Sequence, residues 1–119
     1  MPLYLVATPI GNRGDITLRA IETLKASDLI ACEDTRTSKP FLTSLGVNAP
    51  LLPYHDHNAD QMRPKIIEKL KNGEKVSLIS DAGMPLISDP GYKLVLDCQE
   101  LEIEYTVIPG ASAVPCALA

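Results

Sequence analysis

Three consecutive runs decide the fold class: Lys75-Val76-Ser77-Leu78-Ile79-Ser80, the stretch Asp81 to Gly91, and a helical pattern over about 91–101. The first has an apolar centre of strand length, the second is punctuated by Gly83, Pro85 and Pro90, and the third has helical spacing. The same strand–loop–helix unit recurs toward the N-terminus. Leu51-Leu52-Pro53-Tyr54 ends in His55-Asp56-His57-Asn58 and feeds a helix over about 60–72. That helix carries Met62, Ile66, Ile67 and Leu70, tolerates Pro64 early and stops at Gly73. Leu29-Ile30-Ala31-Cys32 precedes Glu33-Asp34-Thr35-Arg36 and a short helix from about Lys39 to Leu45, with Pro40 in its first turn and Gly46 just past its end. The first unit is Leu3-Tyr4-Leu5-Val6-Ala7, a loop from Thr8 to Asp15, and a helix over about 16–26. On that helix Leu18, Ile21 and Leu24 share a face, and Asp15 or Thr17 caps it. Toward the C-terminus comes a fifth strand, Tyr105-Thr106-Val107-Ile108, then Pro109-Gly110-Ala111-Ser112 opening a further helix. This alternation predicts an α/β fold: a largely parallel five-stranded sheet with helices on both faces.

The chain has 119 residues, 45% apolar and 22% charged, which suits one globular domain. No apolar run approaches the roughly 20 residues of a membrane helix, and MPLYLVATPIGN lacks the pattern of a signal peptide. Cys32, Cys98 and Cys116 are far apart and unpaired in spacing, so they read as small buried apolar residues of a reduced, cytoplasmic protein. The net charge of −4 argues against coating nucleic acid through bulk electrostatics. Arg13, Arg19, Lys25, Arg36 and Lys39 nevertheless concentrate cations in the first third, while residues 97–104 are acidic. A local basic rim is therefore compatible with an acidic chain. The apolar pattern of residues 113–119 breaks off without a cap, and the expectation is one domain spanning 1–119 with further chain to cover that helix.

In an open parallel sheet, ligands bind beyond the carboxyl ends of the strands. Every loop there is unusual: TPIGNRGD, EDTR, YHDHN, SDAGMPLISDPG and PGASA. The opposite loops, such as KASD and KNGEK, are plain polar turns. Gly lets backbone approach a ligand and Pro fixes a loop at low entropy cost. A P-loop, a GxGxxG fingerprint and a GxSxG elbow are all missing. His55 and His57 alternate on an extended chain and are expected to face opposite ways, a poor metal pair, so no metal is expected.

Together, LYLVATPIGNRGDITLRA at 3–20, DLIACEDTRTS at 28–38, LLPYHDHN at 51–58, SDAGMPLISDPGY at 80–92 and PGASA at 109–113 resemble the tetrapyrrole methylase superfamily. Within it they are most similar to the ribosomal RNA small subunit methyltransferase I family. The resemblance implies an N-terminal α/β domain of non-Rossmann type, a second domain beyond this chain, and S-adenosylmethionine (AdoMet) bound between the two. The implied activity is 2′-O-methylation of a cytidine ribose in small-subunit (16S) rRNA, by a full-length cytoplasmic homodimer with no membrane association. Met84 and Leu86 stand where the family pattern has Thr and Gly, and Ala111 replaces a proline, which touches cofactor geometry rather than membership.

Carried onto matching positions, the resemblance assigns AdoMet binding to Pro9, Ile10, Gly11, Asp81, Gly83, Met84, Ser112 and Ala113. A ribose hydroxyl is a poor nucleophile until a base takes its proton, and Asp34, Glu33 and His55 are the catalytic candidates, with Asp89 also at this end. Arg13, Arg36 and Lys39 are the candidate RNA contacts, since Arg offers a fork to phosphate oxygens. Plain structural readings stand beside these: a cap for Asp81 or Ser112, and a local ion-pair turn for Glu33, Asp34 and Arg36. The alternatives are a tetrapyrrole or diphthamide-precursor methyltransferase of the same fold, a metal-dependent phosphohydrolase using Asp34, Asp81 and Asp89, and a non-catalytic interaction module.

Overall fold

The structure, a computed structural model, describes residues 2–8, 16–79 and 89–109, with only the backbone of Asp89. Among these residues nine elements alternate: β1 (Leu3–Val6), α1 (Leu18–Ala26), β2 (Leu29–Cys32), α2 (Thr35–Ser44), β3 (Leu51–Pro53), α3 (Ala59–Lys71), β4 (Val76–Leu78), α4 (Asp89–Glu100) and β5 (Tyr105–Ile108). The five strands form one sheet in the order β3-β2-β4-β1-β5, and every pairing is parallel. The α/β expectation holds.

Strand alternation feeds two cores. Leu3, Leu5, Leu29, Ala31, Val76 and Leu78 point to one face, where α3 and α4 cover them with Ile66, Leu70, Leu94 and Cys98. Val6, Ile30, Cys32, Ile79 and Ile108 point to the other, under Ala20 and Leu24 of α1 and Leu42 of α2. This division follows from the strand order. The connections out of β1 and β2 run toward the β3 edge, those out of β3 and β4 run back, and crossovers of one hand then place the helices on opposite faces. Ser77 is a polar residue in the middle of the sheet, and its hydroxyl is bonded to that of Ser27, which in turn donates to the carbonyl of Thr23. Burial therefore leaves it satisfied.

Three local expectations change, and one of the two named caps of α1 is selected. Leu18 is 78% exposed, because Ala20 and Leu24 form the inward line of α1 and a residue two positions from Ala20 lies on the opposite side. Thr17 is the cap, its Oγ1 accepting from the backbone N–H of Ala20 at 3.1 Å. α2 starts four residues earlier than its Pro40 suggested, because Asp34 caps it. Pro40 then sits mid-helix, where its missing N–H deprives only the Arg36 carbonyl at an exposed position open to water. α4 starts at Asp89, which puts Pro90 in a first turn that needs no N–H donor from it. Gly46 and Gly73 end α2 and α3 with φ of 80° and 87°, a left-handed conformation that a side chain would strain. Cys32 and Cys98 are buried, as their apolar setting suggested, and Cys116 lies outside the described residues.

Candidate active site

The strand order sorts the unusual loops. At the carboxyl edge, β4, β1 and β5 are neighbours, and from them leave the loops assigned to AdoMet. β2 and β3 are neighbours on the other side, and from them leave EDTR and YHDHN. Connections diverge between β1 and β4, one toward α1 and the other toward α4 on the opposite face, which is the arrangement that opens a ligand crevice in a parallel sheet. Pro9, Ile10, Gly11, Arg13, Asp81, Gly83, Met84, Ser112 and Ala113 all lie outside the described residues, as does the side chain of Asp89.

Asp34 leaves β2 in an extended conformation and turns the chain into α2. Its Oδ1 accepts from the backbone N–H of Arg36 at 2.9 Å, and its carbonyl accepts from Thr37 and Ser38. The Arg36 guanidinium folds back over both carboxylate oxygens at 3.4 Å. The Arg36 backbone N–H, then its guanidinium, hold the Asp34 carboxyl below its ordinary value. Arg36 keeps 90% of its side chain exposed, so an anion reaches it with this weak pair in place. Lys39 follows three residues later on the same side of α2, also exposed. Glu33 is half-buried in the bend between strand and helix.

Asn58 shapes the neighbouring turn. Its Oδ1 accepts from the backbone N–H of His55 at 2.8 Å, while its Nδ2 donates to the carbonyl of Pro53 at 2.9 Å. The turn brings His55 and His57 together instead of apart, with ring centroids 5.9 Å from each other and planes at 66°. The expectation of opposite facing assumed extended backbone, and residues 55–58 form a turn. The His57 backbone N–H donates to Nδ1 of His55 at 3.2 Å, so a neutral His55 ring carries its proton on Nε2 and presents a donor there. Among the described residues, no cluster of three His, Cys, Asp or Glu is placed to hold a metal ion.

Sequence reading missed a buried tether below these turns. Tyr54, 1% exposed, donates from its hydroxyl to the carbonyl of Pro90 at 2.7 Å. Arg63, beside it, joins α3 to α4 by donating from Nε to Asp97 at 3.1 Å, and from Nη2 to Asp60 at 2.9 Å. The Tyr54 hydroxyl contributes most to raising the Arg63 pKa, with Asp60 and Asp97 adding to it against the cost of burial, so the guanidinium stays charged. Burial pushes the Tyr54 hydroxyl up, keeping it neutral as a donor.

Known proteins are similar to this chain in sequence and in fold. A family profile described as Tetrapyrrole (Corrin/Porphyrin) Methylases matches residues 2–119. Proteins named ribosomal RNA small subunit methyltransferase I are similar to the chain: 55% identical in Mesorhizobium japonicum, over 98% of this chain and 40% of that protein. In Escherichia coli O157:H7 the identity is 51%, over 97% of this chain and 39% of the relative. The chain thus spans about two fifths of the length of these curated relatives. Among solved structures, uroporphyrin-III-C-methyltransferase from Thermus thermophilus superposes with a TM-score of 0.75 at 22% identity, over 98% of this chain and 50% of that one, a likeness of fold. With one profile covering nearly every residue and a matching sheet, the chain belongs to the tetrapyrrole methylases.

Proposed function

We propose that this chain is the N-terminal domain of an AdoMet-dependent methyltransferase that modifies the 2′-hydroxyl of a cytidine ribose in small-subunit rRNA. The reading rests on the strand order: the loops that the resemblance gives to AdoMet leave three adjacent strands, β4, β1 and β5, while EDTR and YHDHN leave the other two, β2 and β3. The names of the similar proteins supply the substrate class. No membrane-crossing helix occurs among the described residues.

In this reading Pro9, Ile10, Gly11, Asp81, Gly83, Met84, Ser112 and Ala113 hold AdoMet, whose sulfonium supplies an electrophilic methyl group. Transfer forms a carbon–oxygen bond to the ribose while the carbon–sulfur bond breaks with its electrons left on sulfur. The ribose proton has to leave. Asp34 is ionised at neutral pH and accepts it, with Glu33 beside it in sequence and the His55 Nε2–H donating to a substrate oxygen. Arg36 and Lys39, with Arg13 from the first loop, grip phosphates.

Calorimetric titration of AdoMet into the full-length protein tests the donor half. Asp81→Ala is expected to weaken binding by about 1–3 kcal/mol, the worth of a charged hydrogen bond. Unchanged affinity would remove Asp81 from the donor site. Absence of AdoMet binding by the unmodified protein would overturn the function.

A further inference from the structure

β3 is an edge strand, and α2 stands beside it across an open groove of about 870 Å³. Arg36, Lys39 and Thr43 line one wall, following one another along α2 at spacings of three and four residues. Pro50, Leu51 and Pro53 line the other. No carboxylate is among the described residues that line it, although the chain carries a net charge of −4. Asp34, the acidic partner of Arg36, caps α2 and meets the guanidinium only at 3.4 Å, leaving the Arg36 side chain 90% exposed. An anion with apolar faces suits these walls.

The exposed strand edge would ordinarily invite a second strand. Pro50 and Tyr54 turn their backbones toward β2, where the Pro50 carbonyl accepts from Ile30 and the Tyr54 N–H donates to Cys32. Leu51 and Pro53 therefore present theirs outward. Pro53 has no N–H, and its carbonyl is taken by Asn58. One residue is too little for a ladder, so strand addition by a protein is disfavoured.

We infer that this groove takes a short single-stranded stretch of the RNA substrate, its phosphates on Arg36 and Lys39 and its sugar and base faces against Pro50, Leu51 and Pro53. The inference rests on the proposed rRNA activity and specifies which surface of the domain the strand follows. The volume lies within the roughly 300–1,000 Å³ of clefts that enclose small ligands. A duplex carries its phosphates on a convex surface that cannot enter such a concavity. The groove also starts where Asp34 caps α2, so a strand lying in it passes the proposed proton acceptor.

The test uses the full-length protein with a fluorescein-labelled single-stranded RNA oligomer of mixed sequence, and AdoMet binding measured separately. Thr43→Trp, which fills the groove without altering charge, is expected to weaken RNA binding about ten-fold. Lys39→Ala is expected to reduce the slope of log affinity against log salt by about 0.7, one single-strand phosphate contact. Wild-type affinity and slope in both variants would overturn the inference. So would displacement of the RNA by oligoglutamate as effective as that by unlabelled RNA, which assigns the groove to acidic peptides. AdoMet affinity stays unchanged in both variants; its absence from the unmodified protein refutes the proposed function and leaves the RNA result standing.

Discussion

The Tyr54 hydroxyl lies 2.7 Å from the carbonyl oxygen of Pro90 and donates to it, joining the end of β3 to the first turn of α4 across 36 residues of sequence. The contact fixes where α4 begins, immediately after the stretch 80–88. Arg63 reinforces it from α3 through Asp97. The turn at residues 55–58, the first turn of α4 and α3 are thus joined through the buried Tyr54 hydroxyl and the half-buried Arg63–Asp97 pair.

Tyr54→Phe keeps the ring and removes the donor, so it is expected to lower unfolding free energy by about 1 kcal/mol. Tyr54→Ala also empties a fully buried site and should cost about 3–5 kcal/mol, as large aromatic truncations do. Urea denaturation measures both. A Phe variant as stable as the parent would show that the hydroxyl contributes nothing.

Asp34 combines a cap with a proposed chemical role, and two variants separate them. Asparagine caps a helix as well as aspartate, so Asp34→Asn should leave the melting temperature nearly unchanged while cutting methyl transfer about 10²-fold, the low end for loss of a general base. Asp34→Ala should lower both. Because Arg36 depresses the Asp34 carboxyl, the ionised form persists below the ordinary carboxylate value of about 3.9. Its contribution to stability is therefore complete above that value and is lost as pH falls through the lower folded-state value. The transfer rate should show no acid limb from this group between about pH 5 and 8. An acid limb near neutrality that persists in Asp34→Asn would point to a different proton acceptor.

Arg36→Ala is expected to lower methylation of small ribosomal subunits while AdoMet affinity holds. The Arg36 side chain is 90% exposed and pairs weakly with Asp34, two residues away, so its loss should not unfold the domain. Loss of AdoMet binding with normal RNA binding would assign this turn to the methyl donor instead.

Burial first, and Asp97 second, push the Cys98 thiol up to about 11. Native protein should resist iodoacetamide at Cys98 at pH 8, whereas denatured protein reacts, since the thiolate is the nucleophile. The folded state favours the protonated thiol, so this group's contribution is complete below the ordinary value of 9.0 and is lost as pH rises toward about 11. Mass spectrometry of labelled peptides reads the first effect and alkaline melting curves the second. Rapid labelling of Cys98 in the folded protein would contradict its placement.

Strands were legible because each is a short apolar run between turn signals, and their parallel pairing followed from the helices between them. Helix starts were less so. Pro40 looked like a first-turn residue, but the Asp34 cap outweighed it, and Leu18 was aligned with Leu24, although Leu18 faces solvent while Leu24 packs inward with Ala20. The histidines of YHDHN looked divergent because alternation was applied to a segment that Asn58 folds into a turn. Asn58 carried a signal, a side chain that bonds nearby backbone just before a helix. Tyr54 with Pro90 and Arg63 with Asp97 carried none, being 36 and 34 residues apart and united only by the sheet order. Motifs pointed to the loops of the candidate site, whereas strand order showed which of the strands they follow are neighbours.

The central claim is tested most directly by incubating the full-length protein with methyl-labelled AdoMet and small ribosomal subunits that lack the modification, then mapping the label. The account predicts label on the 2′-oxygen of one cytidine ribose, lost on omission of AdoMet. Label on a base, or transfer to a tetrapyrrole with none to the subunits, would contradict it.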